Sequence, residues 1–137
     1  MKLRTLALAC ATLALPLATL ANPTPTSNWT GVWESKLDGI TAVTLTLADD
    51  AGALDGTIVF HVILKENAST PAHSGSTEPH TLIHPHVEGN KLSFQVRRGN
   101  GSNQILNMAV ELNPSGKADF QCSNCGSGPK AELEKMH

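Results

Sequence analysis

Beyond residue 22 the chain never sustains a helical period, and Gly, Asn, Asp, Ser and Pro interrupt it at intervals of roughly ten residues. Segments that short have room for one strand each and little else. Several alternate clearly. In ITAVTLTLA, Ile40 to Ala48, Val43, Leu45 and Leu47 fall on one face and Thr44 and Thr46 on the other, the signature of a strand with one dry side and one wet. Leu92, Phe94 and Val96 repeat the pattern in NKLSFQVRR, and Leu106, Met108, Val110 and Leu112 do so in QILNMAVELN. Asp49, Asp50 and Gly52 mark a hairpin turn, and Glu88, Gly89 and Asn90 mark another. With WTGVWES at the start, DGTIVFHVILK third, and TLIHPHVEG, KADFQCS and KAELEKMH later, the count is about eight strands joined mostly by short turns.

The expected fold is therefore all-β, an antiparallel up-and-down meander of about eight strands closed into a small barrel. A meander has two edges to hide, and pairing the first strand with the last removes them. Eight strands enclose an interior wide enough to be filled by side chains or to hold one small ligand. An outer-membrane barrel would need aromatic girdles, and this chain has no Tyr and only five other aromatic carbocycles, Trp29, Trp33, Phe60, Phe94 and Phe120. The third segment is apolar on both faces from Ile58 to Leu64 apart from His61, which predicts a strand packed on both sides. Glu66 to His80, polar and aperiodic, is expected to be a long loop able to cover an open end.

The N-terminus sets the compartment. Lys2 and Arg4 precede an apolar stretch, Leu6 to Leu20, that ends on the small Ala21, the order of a cleavable export signal. Residues 1–21 are assigned to that signal, 22–28 to a lead-in and 29–137 to one β-barrel domain. The chain is expected to be secreted or periplasmic, with no membrane span after cleavage. The full chain carries ten basic and twelve acidic residues, and the signal takes two of the basic ones. An acidic remainder without a basic patch excludes nucleic acid as the expected partner. Cys122 and Cys125, the cysteines left after cleavage, are expected to form a disulfide in an oxidising compartment.

Gly31, Val32 and Trp33, opening the first strand of such a meander, are similar to the Gly-x-Trp start of lipocalin-like and avidin-like barrels, the calycins. The chain also resembles small exported lipocalin-like proteins of bacteria. The resemblance implies a barrel whose matching tryptophan, Trp33, plugs one end beneath a basic residue of the last strand. Lys135 stands where arginine is more usual in that family. Biotin binding is not implied: an avidin-like first strand carries Asn and Ser where this one has Ser35 and Gly39, and the further tryptophans and the tyrosine of avidins are missing.

Candidate chemistry is sparse. His80, His84 and His86 are spaced by even steps, so one strand would turn them the same way and they could hold Zn or Cu. The competing reading puts them on the solvent side of an edge strand bearing Pro85. His61, alone in an apolar strand, reads as a hydrogen-bonded structural residue. No nucleophile elbow occurs, and no spacing singles out an acid and base pair such as Glu34 and Asp55. Asn28, Asn67 and Asn100 begin glycosylation sequons that matter only in a glycosylating host. The expected function is non-enzymatic and cofactor-free: binding of a small apolar or amphipathic ligand by Phe60, Phe94, Leu106, Met108 and Val110. The alternatives are a filled barrel acting as a protein-interaction or inhibitor module in the cell envelope, and Zn or Cu capture by His80, His84 and His86.

Overall fold

A computed structural model describes residues 28–99, 101–126 and 130–137. The export-signal segment, most of the lead-in and Asn100 lie outside the described residues. Nine antiparallel strands account for nearly all the regular structure: β1 (Gly31–Leu37), β2 (Ile40–Asp50), β3 (Ala53–Leu64), β4 (His73–Thr81), β5 (Ile83–Glu88), β6 (Lys91–Arg97), β7 (Ile105–Leu112), β8 (Ala118–Cys122) and β9 (Ala131–Lys135). They form one up-and-down meander in the order β4-β3-β2-β1-β9-β8-β7-β6-β5, strongly curled into a half-barrel. Among the described residues there is no α-helix, hence none long and apolar enough to cross a membrane.

Local chemistry explains the turns. At Leu37↔Ile40 and Asp50↔Ala53 the strands close over two residues, Asp38-Gly39 and Ala51-Gly52, all with positive φ. That is the mirror-image turn whose twist suits a right-handed hairpin, and glycine carries it without strain. Asp49 Oδ1 accepts from Gly52 N–H at 2.7 Å and fixes the second turn. The tight curl of β2 on β3 depends on Gly56, where a Cβ would collide with the Thr46 carbonyl.

Register assembles the core. Trp33, Leu45 and Ile58 lie opposite one another across β1, β2 and β3, and Phe94, Met108 and Cys122 across β6, β7 and β8. Directly opposed residues share a face, so the alternating apolar sets converge on one interior. Leu45, Ile58, Leu92, Val96, Val110, Ala118 and Leu133 are fully buried there. Burying such side chains at about 25 cal/mol per Å² is the main stabilising contribution to a sheet protein of this size.

Four expectations change. Nine strands replace about eight because most of the expected loop forms β4, which ends just before buried Leu82: Leu82 donates to the Gly56 carbonyl at 3.0 Å, and the chain then passes from β3's neighbourhood to β6's. The first and last strands do pair, but the hydrogen-bonded ring does not close. Its two free edges are β4 and β5, successive parts of one run of chain. The expected Glu66–His80 loop is mostly strand; only residues 65–72 connect β3 to β4. HSGSTEPHT is polar and largely exposed on both faces, an edge strand held by backbone bonds to β3 and so invisible to any apolar pattern. The outer face of β3 is not packed over, since Val62 and Leu64 are exposed and a bulge between His61 and Ile63 breaks the alternation.

Candidate functional site

The interior of the half-barrel differs at its two ends. At the end where β1 begins, Trp29 and Trp33 are both buried, their rings 5.6 Å apart and tilted by 40°. Trp33 Nε1–H donates to the Trp29 carbonyl at 2.9 Å, so the one polar atom of the buried indole is satisfied inside the protein. Gly31 has φ +122°, and the space beside it is taken by the Lys135 side chain. Lys135 Nζ lies 5.6 Å from the Trp33 ring centre and donates to the Asn28 carbonyl at 3.1 Å. A cation over an indole face is attracted to its π cloud, and an ammonium does this without the planar stacking of a guanidinium.

At the opposite end, where β3 finishes and β7 begins, the interior is not filled. A cavity of about 270 Å³ opens between Phe60 on β3 and Leu106, Met108 and Phe120 on β7 and β8. Phe60 and Leu106 are only half-buried, whereas Met108 and Phe120 close the floor. Polar groups stand at its margin: Glu78 and His80 on β4, Arg98 after β6, and the Cys122–Cys125 disulfide pair, whose Cα atoms are 5.6 Å apart. Glu78 lies opposite Phe60 and His80 opposite Ile58, so both share the inner face. Arg98 is braced by Gln104, through a side-chain bond of 3.0 Å and a backbone bond of 2.9 Å. Asn124 anchors the cysteine loop to β7, accepting from Asn107 N–H at 2.7 Å and donating to the Ile105 carbonyl at 2.9 Å.

A second, larger cleft of about 820 Å³ runs where β1 and β9 part. Their pairing covers only Trp33↔Lys135 and Glu34↔Glu134, and the register of β1 with β2 shifts between Ser35 and Lys36, where β2 carries the extra residue Ala42. Side chains of both faces border the cleft: Ser35, Val43 and Phe60 from inside, Glu34, Lys36 and Glu134 from outside. A cleft touching both faces is a gap in the wall. Exposed Leu37 and Met136 rim it. Along β9, Lys117 bridges Glu134 at 2.6 Å and Glu132 at 3.0 Å. Hydrogen bonding and charge from Lys117 hold the Glu134 carboxyl below the usual carboxylate range, and bonds to Glu134 and Glu132 hold the Lys117 ammonium above its own.

Of the residues expected to bind ligand, the structure gathers Phe60, Leu106 and Met108 around the smaller cavity and places Phe94 and Val110 deeper, in the packed core. The three histidines do not converge. His80 faces the interior, while His84 and His86 lie on the outer face beside Ser93, and His84 has φ +49° at a bulge that breaks the even step. Among the described residues no group of three or more His, Cys, Asp or Glu is placed to hold a metal ion. His61 is half-buried and its Nε2 lies 3.0 Å from Thr44 Oγ1. Glu34 borders the wall cleft and Asp55 does not. Glu78 and Arg98 were not visible as site residues in the sequence. Glu78 and His80 are two apart, as inward residues of one strand must be, but only the pairing of β4 with β3 gives that spacing meaning.

Comparison with protein-family models, with curated proteins and with solved structures finds no match.

Proposed function

We propose that the protein is an exported, non-enzymatic carrier that takes a small apolar or amphipathic ligand into the unplugged end of the half-barrel. The observation that supports this reading is the cavity bordered by half-buried Phe60 and Leu106 over buried Met108 and Phe120. An open concavity with an apolar lining and a few polar groups at its margin is the usual form of a small-molecule site. The resemblance of Gly31-Val32-Trp33 to the opening of lipocalin-like barrels is consistent with carriage. The N-terminal signal pattern and the Cys122–Cys125 pair support export. The experiment is a titration of the purified protein with an apolar anilinonaphthalene sulfonate probe, with organic extraction and mass spectrometry of the same preparation. Saturable binding at one site, or a co-purified small apolar compound, supports carriage. Failure of both removes it.

The gap between β1 and β9 favours a second reading, a protein-interaction module. Upper β1 and upper β9 are each paired on one side only, and an extended segment of an envelope partner would find strand edges to pair with there. This reading predicts a partner whose binding is lost when the gap is closed by an engineered disulfide and kept when the small cavity is filled by Leu106→Trp.

A further inference from the structure

The ligand's chemistry follows from the smaller cavity, on the reading that the unplugged end is a ligand site. Size comes first. An apolar cavity of roughly 150 Å³ admits benzene, so about 270 Å³ suits one substituted ring or a fused pair. The lining is aromatic and sulfur-rich: Phe60 and Phe120 lie 6.2 Å apart and inclined at 53°, with Met108 and the Cys122–Cys125 pair beside them. Tilted rings and soft sulfur favour the face and edge of an aromatic guest over a saturated chain.

Polarity comes second. His80 Nδ1 lies 3.0 Å from the Arg97 carbonyl oxygen. A carbonyl only accepts, so Nδ1 carries a proton, and in the neutral form of the ring the lone pair is on Nε2. The ring borders the cavity edge-on to Phe60, 5.7 Å between centres, and its Nε2 has no hydrogen-bond partner among the described residues. Glu78, two residues earlier on the same face, adds a second acceptor. Arg98, a donor at the margin, is held in place by Gln104 through one of its five N–H groups. On the inner face of β4 stand the acceptors His80 and Glu78, and a guest that meets them brings a donor.

We propose that this cavity takes a small aromatic ring compound carrying one N–H or O–H donor, of indole or phenol type, with the ring against Phe60 and Phe120 and the donor on His80 Nε2. The test compares two isomers, skatole, which keeps the indole N–H, and N-methylindole, which lacks it, so added volume is equal. Calorimetric titration of the wild-type chain should show both binding and skatole tighter by about three- to tenfold, the range of one net hydrogen bond. In His80→Phe the two should bind alike, and in His80→Gln, which keeps a side-chain acceptor, part of the preference should return. Equal affinities in the wild type, or a preference that persists in His80→Phe, overturn the proposal while leaving carriage intact. If neither isomer nor the anilinonaphthalene sulfonate probe binds and extraction yields no co-purified apolar compound, carriage itself falls.

Discussion

The two ends of the half-barrel use aromatic side chains to opposite effect. At the plugged end Trp29 and Trp33 are 1% and 2% exposed, and the Trp33 N–H is consumed by the Trp29 carbonyl. At the unplugged end Phe60 is half-buried, and the nearest polar groups, Glu78 and His80, retain acceptor capacity. A large apolar residue whose polar partners are satisfied internally is structural. One left beside unfilled space, with acceptors open to solvent, has the form that a ligand site would need. Scarcity of aromatics therefore does not mark the tryptophans as ligand contacts; their completed bonding marks them as the plug.

Four substitutions or conditions can break that contrast. Trp33→Ala should have the largest effect, a loss of about 3–5 kcal/mol in denaturant unfolding, because a buried indole leaves a cavity and the Trp29 carbonyl loses its donor. Probe affinity of the fraction that remains folded should change little; a large change would show that the ends are not separate. Gly56→Ala should cost about 1–3 kcal/mol, since the added methyl meets the backbone of β2 rather than a side chain that can swing aside. If Gly56→Ala unfolds at the wild-type midpoint, the curl does not depend on that close approach.

Phe60→Ala should behave inversely to Trp33→Ala. Its stability cost should be about 1–2 kcal/mol, because part of the ring is already in water, while probe affinity should fall roughly tenfold. The Lys117–Glu134 pair should matter least. Its contribution is present near neutrality, fades as pH falls through the lowered pKa of Glu134, and fades again as pH rises through the raised pKa of Lys117. Both groups are exposed, so Lys117→Ala should move Tm by at most about two degrees at neutral pH, and less at high salt. A larger shift would mean that β9 is held to the barrel through this pair rather than through Leu133.

The same contrast separates what was legible in the sequence from what was not. Val43, Leu45 and Leu47, or Leu92, Phe94 and Val96, announce their strands because one face is buried and the other wet. The β1–β9 pairing followed from the need to hide edges. β4 carries no such signal: its backbone supplies the bonds to β3 while its side chains stay largely in water, so residues 73–80 read as loop. Leu82 and His84 were equally silent, because a strand that changes neighbours keeps its local pattern. The site was half-legible for the same reason. Phe60, Leu106 and Met108 belong to alternating strands, whereas Glu78, His80 and Arg98 reach the cavity only through the edge strand and a turn.

The central claim is that the unplugged end binds and the plugged end only closes the fold. It is tested most directly by titrating one fluorescent apolar probe into three folded proteins: wild type, Phe60→Ala and the conservative Trp33→Phe. The account predicts single-site saturation in the wild type, about tenfold weaker binding in Phe60→Ala and unchanged affinity in Trp33→Phe. No saturable binding to the wild type, or a loss in Trp33→Phe equal to that in Phe60→Ala, would contradict it.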